Sequence, residues 1–168
     1  GFSAGGHLVS YAASKAENKP YAAIILYGAA KAQTINYTAP DAPDAVEAVN
    51  LYTCPCFLVA ARDDATVDVK NVLLFELALA ENKVPFESHI YSYGGHGFST
   101  GEDWIITNSV SERVPHWVAD SIGWLGETMG KLTRSGFTEP NLAVSQNADD
   151  SPILAVACSL NHIRKQEE

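Results

Sequence analysis

Positive charge is scarce in this chain: 11 Lys and Arg stand against 20 Asp and Glu, a formal net charge of −9 over 168 residues. Up to Gly130 the ratio is 7 basic to 15 acidic, and beyond it 4 to 5, so no tail or patch concentrates positive charge. A surface of this sign repels a phosphate backbone, which excludes nucleic acid as a partner. Long apolar runs are lacking as well. None approaches the ~20 residues that span a bilayer, and no membrane partner is expected. Cysteine is sparse and odd in number, at Cys54, Cys56 and Cys158, in a chain too large to need disulfide staples. Cys54-Pro55-Cys56 lacks the spacing of a zinc knuckle or a Cys-x-x-Cys redox pair. It reads as small apolar residues opening a buried strand, and a reducing, cytoplasmic setting fits. No two histidines have metal-ligand spacing on one helix, so no metal is expected.

What is present is the composition of one globular domain, 46% apolar and 18% charged. Gly1 to His7 reads as a tight turn feeding a helix that runs through Leu8 to Glu17 and stops near Pro20. Tyr21 to Tyr27 is a continuous apolar run, the pattern of a strand buried on both faces. Residues 28 to 53 read as irregular, with one short helix within Asp41 to Asn50 and Pro43 near its first turn. Phe57 to Ala61 reads as a second buried strand, Val69 to Asn82 as a helix, Pro85 to Tyr91 as a third strand, and Ser111 to Met129 as a final helix carrying Trp117 and Trp124. On the third strand Phe86 and Ile90 are expected to point inward and His89 outward. This alternation predicts parallel β-α-β units with helices on both faces. Residues 1 to 130 form one unit; 131 to 168, polar and then apolar from Pro152 to Leu160, form an extension whose structure the sequence does not decide.

Gly1-Phe2-Ser3-Ala4-Gly5 fits G-x-S-x-G, the nucleophile elbow. The turn is so sharp that side chains flanking the serine would collide, hence glycine two residues to either side. The hydroxyl then stands at a helix N-terminus, whose dipole favours negative charge, and Ala4 supplies a backbone N–H for an oxyanion hole. A serine nucleophile needs a base, and the base needs an acid to hold its tautomer. In chain order, Asp63-Asp64 follows the second strand and His96 follows the third, within Gly94-Gly95-His96-Gly97. The order Ser, Asp, His, each after its own element, is that of one α/β architecture. Glu102-Asp103 reads as a solvated loop, His7 as a packing or surface residue, and His116 and His162 have no evident partners. Tyr27, Gly28 and residues 29 to 50 follow the first strand at the end where such sheets bind ligands. They line a substrate pocket or form a surface connection.

The run from Phe57 to Val67 (FLVAARDDATV) with Asn71 to Phe75 (NVLLF) resembles the acid-loop segment of α/β-hydrolase esterases, most nearly bacterial acetyl-esterase and xylan-esterase-like carboxylesterases. Val84 to Tyr91 followed by Gly94 to Phe98 (GGHGF) is similar to their histidine segment. Arg113 to Trp117, with Trp124-Leu125, resembles their last helix. The resemblance covers residues 1 to about 130. It implies a parallel-sheet α/β-hydrolase fold in which Ser3 is the nucleophile, His96 the general base and then acid, and Ala4 N–H an oxyanion donor. It favours Asp64 over Asp63 as the acid, because Ala65-Thr66-Val67 replaces the family's Pro-hydrophobic-Val turn; Asp63 would then be a solvated loop acid. It further implies a small-molecule ester substrate with a short acyl group, acetylated sugars among them, and no cofactor. Members of the family carry strands before the elbow and a His-Gly-Gly loop with a second oxyanion donor. The chain therefore reads as the C-terminal portion of such an enzyme, with those N-terminal strands missing. Its open sheet edge is expected to be covered by that segment or by a second copy in a homo-oligomer. Loss of one donor costs ~10²–10³ in rate. Two rivals accordingly stand beside the esterase: a prolyl oligopeptidase-type serine peptidase fragment, which shares the residue order, and a non-catalytic hydrolase remnant.

Overall fold

A computed structural model describes residues 1–101, 110–130, 132–133 and 136–137. Ala-rich Ser3–Lys15 forms α1, and β1 (Ala23–Leu26) follows it. Two short helices, α2 (Ala32–Ile35) and α3 (Ala45–Ala48), lead to β2 (Cys56–Ala61). Then come α4 (Lys70–Glu81), β3 (Phe86–Tyr91) and α5 (His116–Met129). Beyond α5, Leu132–Thr133 (β4) and Gly136–Phe137 (β5) pair antiparallel. The predicted third strand and last helix thus stand, with α5 starting after a turn at 112–115 rather than at Ser111. Within the stretch read as irregular, α2 is an addition. The short helix placed between Asp41 and Asn50 is α3, with Asp44 as its N-cap: its Oδ1 accepts from Val46 and Glu47 N–H.

The three main strands pair parallel in the order β1-β2-β3, with Ala23 opposite Cys56 and Cys56 opposite Phe86. On the other side of β1, Phe2 bridges to Leu26 in parallel, and Leu26 N–H donates to the Gly1 carbonyl at 2.9 Å. Strand order therefore advances in one direction from Phe2 to β3. Because parallel crossovers keep one hand, successive connections in such a sheet fall on the same face. That is where α1, α3 and α4 lie: Ala13, Ala45, Val72, Phe75 and Leu79 pack with Ile25, Cys56, Leu58 and Ala60. The return helix α5 covers the opposite face, where Trp117 and Trp124 join Leu26, Phe57, Val59, Ala61 and Tyr91. β2 is buried at all six positions. At 1.5–3 kcal/mol for each fully buried large side chain, its Phe57, Leu58 and Val59 make it the centre of the core. Cys54 and Cys56 are free thiols in that core, as their place before a buried strand implied.

β3 reverses the expected facing. Phe86 and Ile90 are its exposed residues, at 37% and 39%, while His89 lies against the Phe57 ring with centroids 5.2 Å apart. The reason is positional. β3 borders the described sheet, and α4 reaches over it to hydrogen-bond Ser88 through the Glu76 carboxylate without covering Phe86 or Ile90. The face carrying Glu87, His89 and Tyr91 is the one that the aromatics of α5 roof.

Candidate active site

Ser3 occupies φ 52°, a left-handed conformation that a non-glycine residue holds only under constraint. The constraint is visible on both sides. Gly1 and Phe2 are pinned to β1, and the Gly6 N–H donates to the Phe2 carbonyl at 3.0 Å to start α1. A Cβ on Gly1 would sit 2.4 Å from the Gly5 oxygen and 2.7 Å from Val9 Cγ2, so the turn admits only glycine there. The matching argument for Gly5 fails, since among the described residues nothing lies within 4 Å of its Cβ direction. The glycine the helix side requires is Gly6, whose Cβ would fall 2.7 Å from Gly28 Cα. That close approach lets α1 seat directly on the turn after β1. His7 locks the same seat: it is buried, and its Nδ1–H donates to the Ala29 carbonyl at 2.8 Å.

The structure brings Ser3, His96 and Asp64 into one hydrogen-bonded line, though they lie 93 and 32 residues apart. Ser3 Oγ is 2.8 Å from His96 Nε2, and His96 Nδ1 is 2.7 Å from Asp64 Oδ2. A carboxylate can only accept, so Nδ1 carries the proton and the neutral ring presents a lone pair at Nε2 to the Ser3 hydroxyl. Asp64 is 1% exposed at its side chain. Its second oxygen accepts from Thr66 and Val67 N–H, both at 2.8 Å, so the carboxylate cannot rotate without breaking both bonds. The Ala65-Thr66-Val67 turn wraps Asp64. Ala4 lies in the first turn of α1, where backbone N–H groups have no intrahelical acceptor.

Asp63 is an exposed loop acid that also bonds to the loop carrying His96. Its Oδ1 accepts from Gly94 N–H at 2.9 Å and Gly95 N–H at 3.0 Å, across 31 residues. The Gly95 N–H, opposed weakly by burial and helped by the Gly94 N–H, holds its carboxyl below the ordinary carboxylate range. Adjacent loop residues point apart, so one aspartate reaches the ring and the other reaches the loop that carries it.

Tyr27 is a second residue whose role the sequence left open. It is buried at φ 38°, with its ring edge-on to His96 at 5.0 Å and to Phe98 at 4.7 Å. Its hydroxyl accepts from Ser99 N–H at 3.3 Å, while Trp117 Nε1–H donates to the Ser99 carbonyl at 2.9 Å. Burial raises the Tyr27 phenol above its usual value. Beyond it, residues 29–48 fold onto the acid loop: Ala29 and Ile35 are buried with Val67. Asp44 ties this segment together by accepting from Ala32 N–H at 3.0 Å and pairing with Lys31 Nζ at 2.7 Å.

The remaining histidines stand apart from this line. His89 pairs with Glu87 on the α5 face of the sheet, and His116 opens α5 exposed to solvent. Glu102-Asp103, Cys158 and His162 lie outside the described residues. Among the described residues no group of three or more His, Cys, Asp or Glu could hold a metal ion, and no helix is long and apolar enough to cross a membrane.

Comparison with known proteins places this geometry. The dienelactone hydrolase family model matches residues 1–128. Among solved structures, an acetyl ester-xyloside bifunctional hydrolase from Caldicellulosiruptor lactoaceticus is similar, with TM-score 0.63 and 27% identity over 74% of this chain and 54% of that one. A carboxylesterase from Lactobacillus plantarum shares the fold with TM-score 0.67 at 22% identity, covering 76% of this chain and 56% of that one. A 51-residue stretch is 39% identical to an endo-1,4-beta-xylanase B from Butyrivibrio fibrisolvens, over 30% of this chain and 8% of the relative. The chain thus spans about half the length of the solved structures it resembles, and a small part of the curated relative. The elbow, the parallel sheet and the match over residues 1–128 agree, and the chain belongs to the dienelactone hydrolase family of α/β-hydrolases.

Proposed function

We propose that the chain carries the catalytic triad of a serine ester hydrolase, with Ser3 as nucleophile, His96 as base and acid, and Asp64 as the orienting acid. The observation that carries this reading is the line from Ser3 Oγ to His96 Nε2 at 2.8 Å and from His96 Nδ1 to Asp64 at 2.7 Å, starting from a serine held at φ 52°. His96 Nε2 takes the Ser3 proton as Oγ attacks the ester carbonyl, and Asp64 stabilises the imidazolium. The developing oxyanion meets the Ala4 N–H at the positive end of α1. The imidazolium returns its proton to the alcohol as it leaves, which creates an acyl-Ser3. Water then attacks the acyl carbon with His96 again as base, releasing the acid and restoring Ser3. These steps draw only on the chain's own side chains, a backbone N–H and water.

The substrate we assign is a small ester with a short, acetyl-type acyl group, acetylated sugars included. The similarity at 27% identity to a protein named as an acetyl ester-xyloside hydrolase supports it. So does the seating of residues 29–48 against Val67 beside the triad, which makes them candidate pocket walls. Labelling with a fluorophosphonate probe and peptide mapping tests the mechanism. Adduct on Ser3, absent in Ser3→Ala, is expected. Folded protein that takes no label at Ser3 overturns it. Hydrolysis of p-nitrophenyl acetate against butyrate and octanoate esters, and of a prolyl p-nitroanilide, tests the substrate class; fastest turnover of acetate is expected.

A further inference from the structure

The loop that carries His96 has little of its own to hold it. Gly95 and Gly97 flank the ring at φ 62° and 80°, and nothing lies within 4 Å of the Gly97 Cβ direction. Glycines at positive φ lose the most conformational freedom on ordering, so the imidazole's place depends on hydrogen bonds as well as on its edge-on contact with Tyr27. Downstream the loop is anchored twice. Phe98 is fully buried, and Ser99, itself at φ 48°, is gripped by Tyr27 through its N–H and by Trp117 through its carbonyl. Upstream, the Ser92 and Tyr93 carbonyls are bonded by Arg62 Nε and Ser111 N–H at 3.2 and 3.4 Å. Between the upstream anchors and the ring stand only Gly94 and Gly95, and one oxygen of Asp63 accepts both of their N–H groups.

We propose that Asp63 is a positioning residue for the general base: its carboxylate fixes the Gly94-Gly95 backbone so that His96 faces Ser3 and Asp64 together. The proposal rests on the triad reading above and extends it to a residue that touches neither substrate nor reacting atoms. Asp63 and Asp64 act as a consecutive pair, the first setting the loop and the second setting the ring. Because Asp63 is exposed, its role is geometric rather than one of core stability. A misplacement of about 1 Å at the base costs on the order of 10²-fold in rate, which sets the scale of the effect.

The test separates geometry from charge. Asp63→Asn keeps an acceptor oxygen at the same reach and removes the charge. Asp63→Glu keeps the charge and moves the oxygen by a methylene, and Asp63→Ala removes both. The readouts are the rate of fluorophosphonate labelling of Ser3, kcat and KM on p-nitrophenyl acetate, and the low-field NMR signal of the His96 Nδ1 proton, assigned by its loss in His96→Gln. Expected are a fall of about 10- to 100-fold in kcat and labelling rate for Ala, with KM within about twofold. Glu falls in the same direction, and Asn is restored to within about threefold. The Nδ1 proton persists in Asn and is lost or broadened in Ala. Should Ala fail to fold, the Asn and Glu pair decides alone. Full rate in Glu with Asn as slow as Ala overturns the positioning role in favour of a charge effect; Ala within twofold of the parent overturns it outright. If the parent chain takes no label yet shows an Asp63-dependent Nδ1 proton, the hydrolase reading falls while the positioning of His96 stands.

Discussion

Replacing Asp64 by asparagine isolates the contribution of the acid, because the surroundings dictate how the new side chain must sit. Oδ1 accepts two backbone N–H groups, from Thr66 and Val67, at 2.8 Å. An amide nitrogen turned toward them would set donor against donor at a side chain only 1% exposed. The asparagine oxygen therefore stays with the turn, and its NH₂ faces His96 Nδ1. That nitrogen must now accept, so the neutral ring carries its proton on Nε2, the atom 2.8 Å from Ser3 Oγ. The base then offers the nucleophile a proton when it should offer a lone pair. In the best-studied serine triad this tautomer error lowers kcat about 10⁴-fold with geometry intact. At 1.36 kcal/mol per tenfold, that is about 5.4 kcal/mol of transition-state stabilisation. The assay is kcat on p-nitrophenyl acetate near pH 7, with fluorophosphonate labelling as a second reading of Ser3 reactivity and circular dichroism to establish that the variant folds. A folded Asp64→Asn variant that keeps more than a tenth of the parent kcat would refute the reasoning. Asp64 would then be a structural cap on its own turn, and the orientation of His96 would come from elsewhere.

Other outcomes follow from the same coordinates. Gly6→Ala places a methyl 2.7 Å from Gly28 Cα, backbone against backbone, and should lower stability by about 1–3 kcal/mol in urea unfolding. Gly5→Ala meets open space among the described residues and should be neutral or stabilise by up to about 1 kcal/mol. The reverse ranking would contradict the packing of the elbow. Asp44 feels burial pulling its pKa up, but Lys31 and the Ala32 and Glu47 N–H groups outweigh it and hold the value below 3.8. A folded-state value depressed below the unfolded one gives stability that is present above the unfolded pKa and lost as pH falls through the folded pKa. Acid titration of stability should therefore be steeper below about pH 4 in the parent than in Asp44→Asn; parallel curves would contradict the pairing.

Much of the site was legible because its signals are local. The G-x-S-x-G turn is a backbone requirement written in consecutive residues, and Gly1 is there for the reason the motif suggests. The runs at 21–27 and 57–61 announce strands buried on both faces, which only a parallel sheet under helices supplies. Asp64 could be favoured over Asp63 because three residues after it resemble a known turn, and that turn is what bonds its carboxylate. α2 escaped notice because four residues are too short to show a period.

What the sequence determined by itself was the set of parts and their order: a serine on a sharp turn, an acid and a histidine after successive strands, and a final aromatic helix. Tertiary structure alone decided the assignments that depend on contact between distant segments. Gly6 rather than Gly5 is sterically required because Gly28, 22 residues away, comes to rest against it. Phe86 and Ile90 are exposed, and His89 covered, because the α5 aromatics roof the Glu87-His89-Tyr91 face of an edge strand although its Phe86-Ser88-Ile90 face is the more apolar in sequence. Asp63 holds Gly94 and Gly95, and Tyr27 and Trp117 hold Ser99, through bonds spanning 18 to 72 residues. Side-chain type states what a residue can bond; only the folded chain determines which partner comes within 3 Å of it.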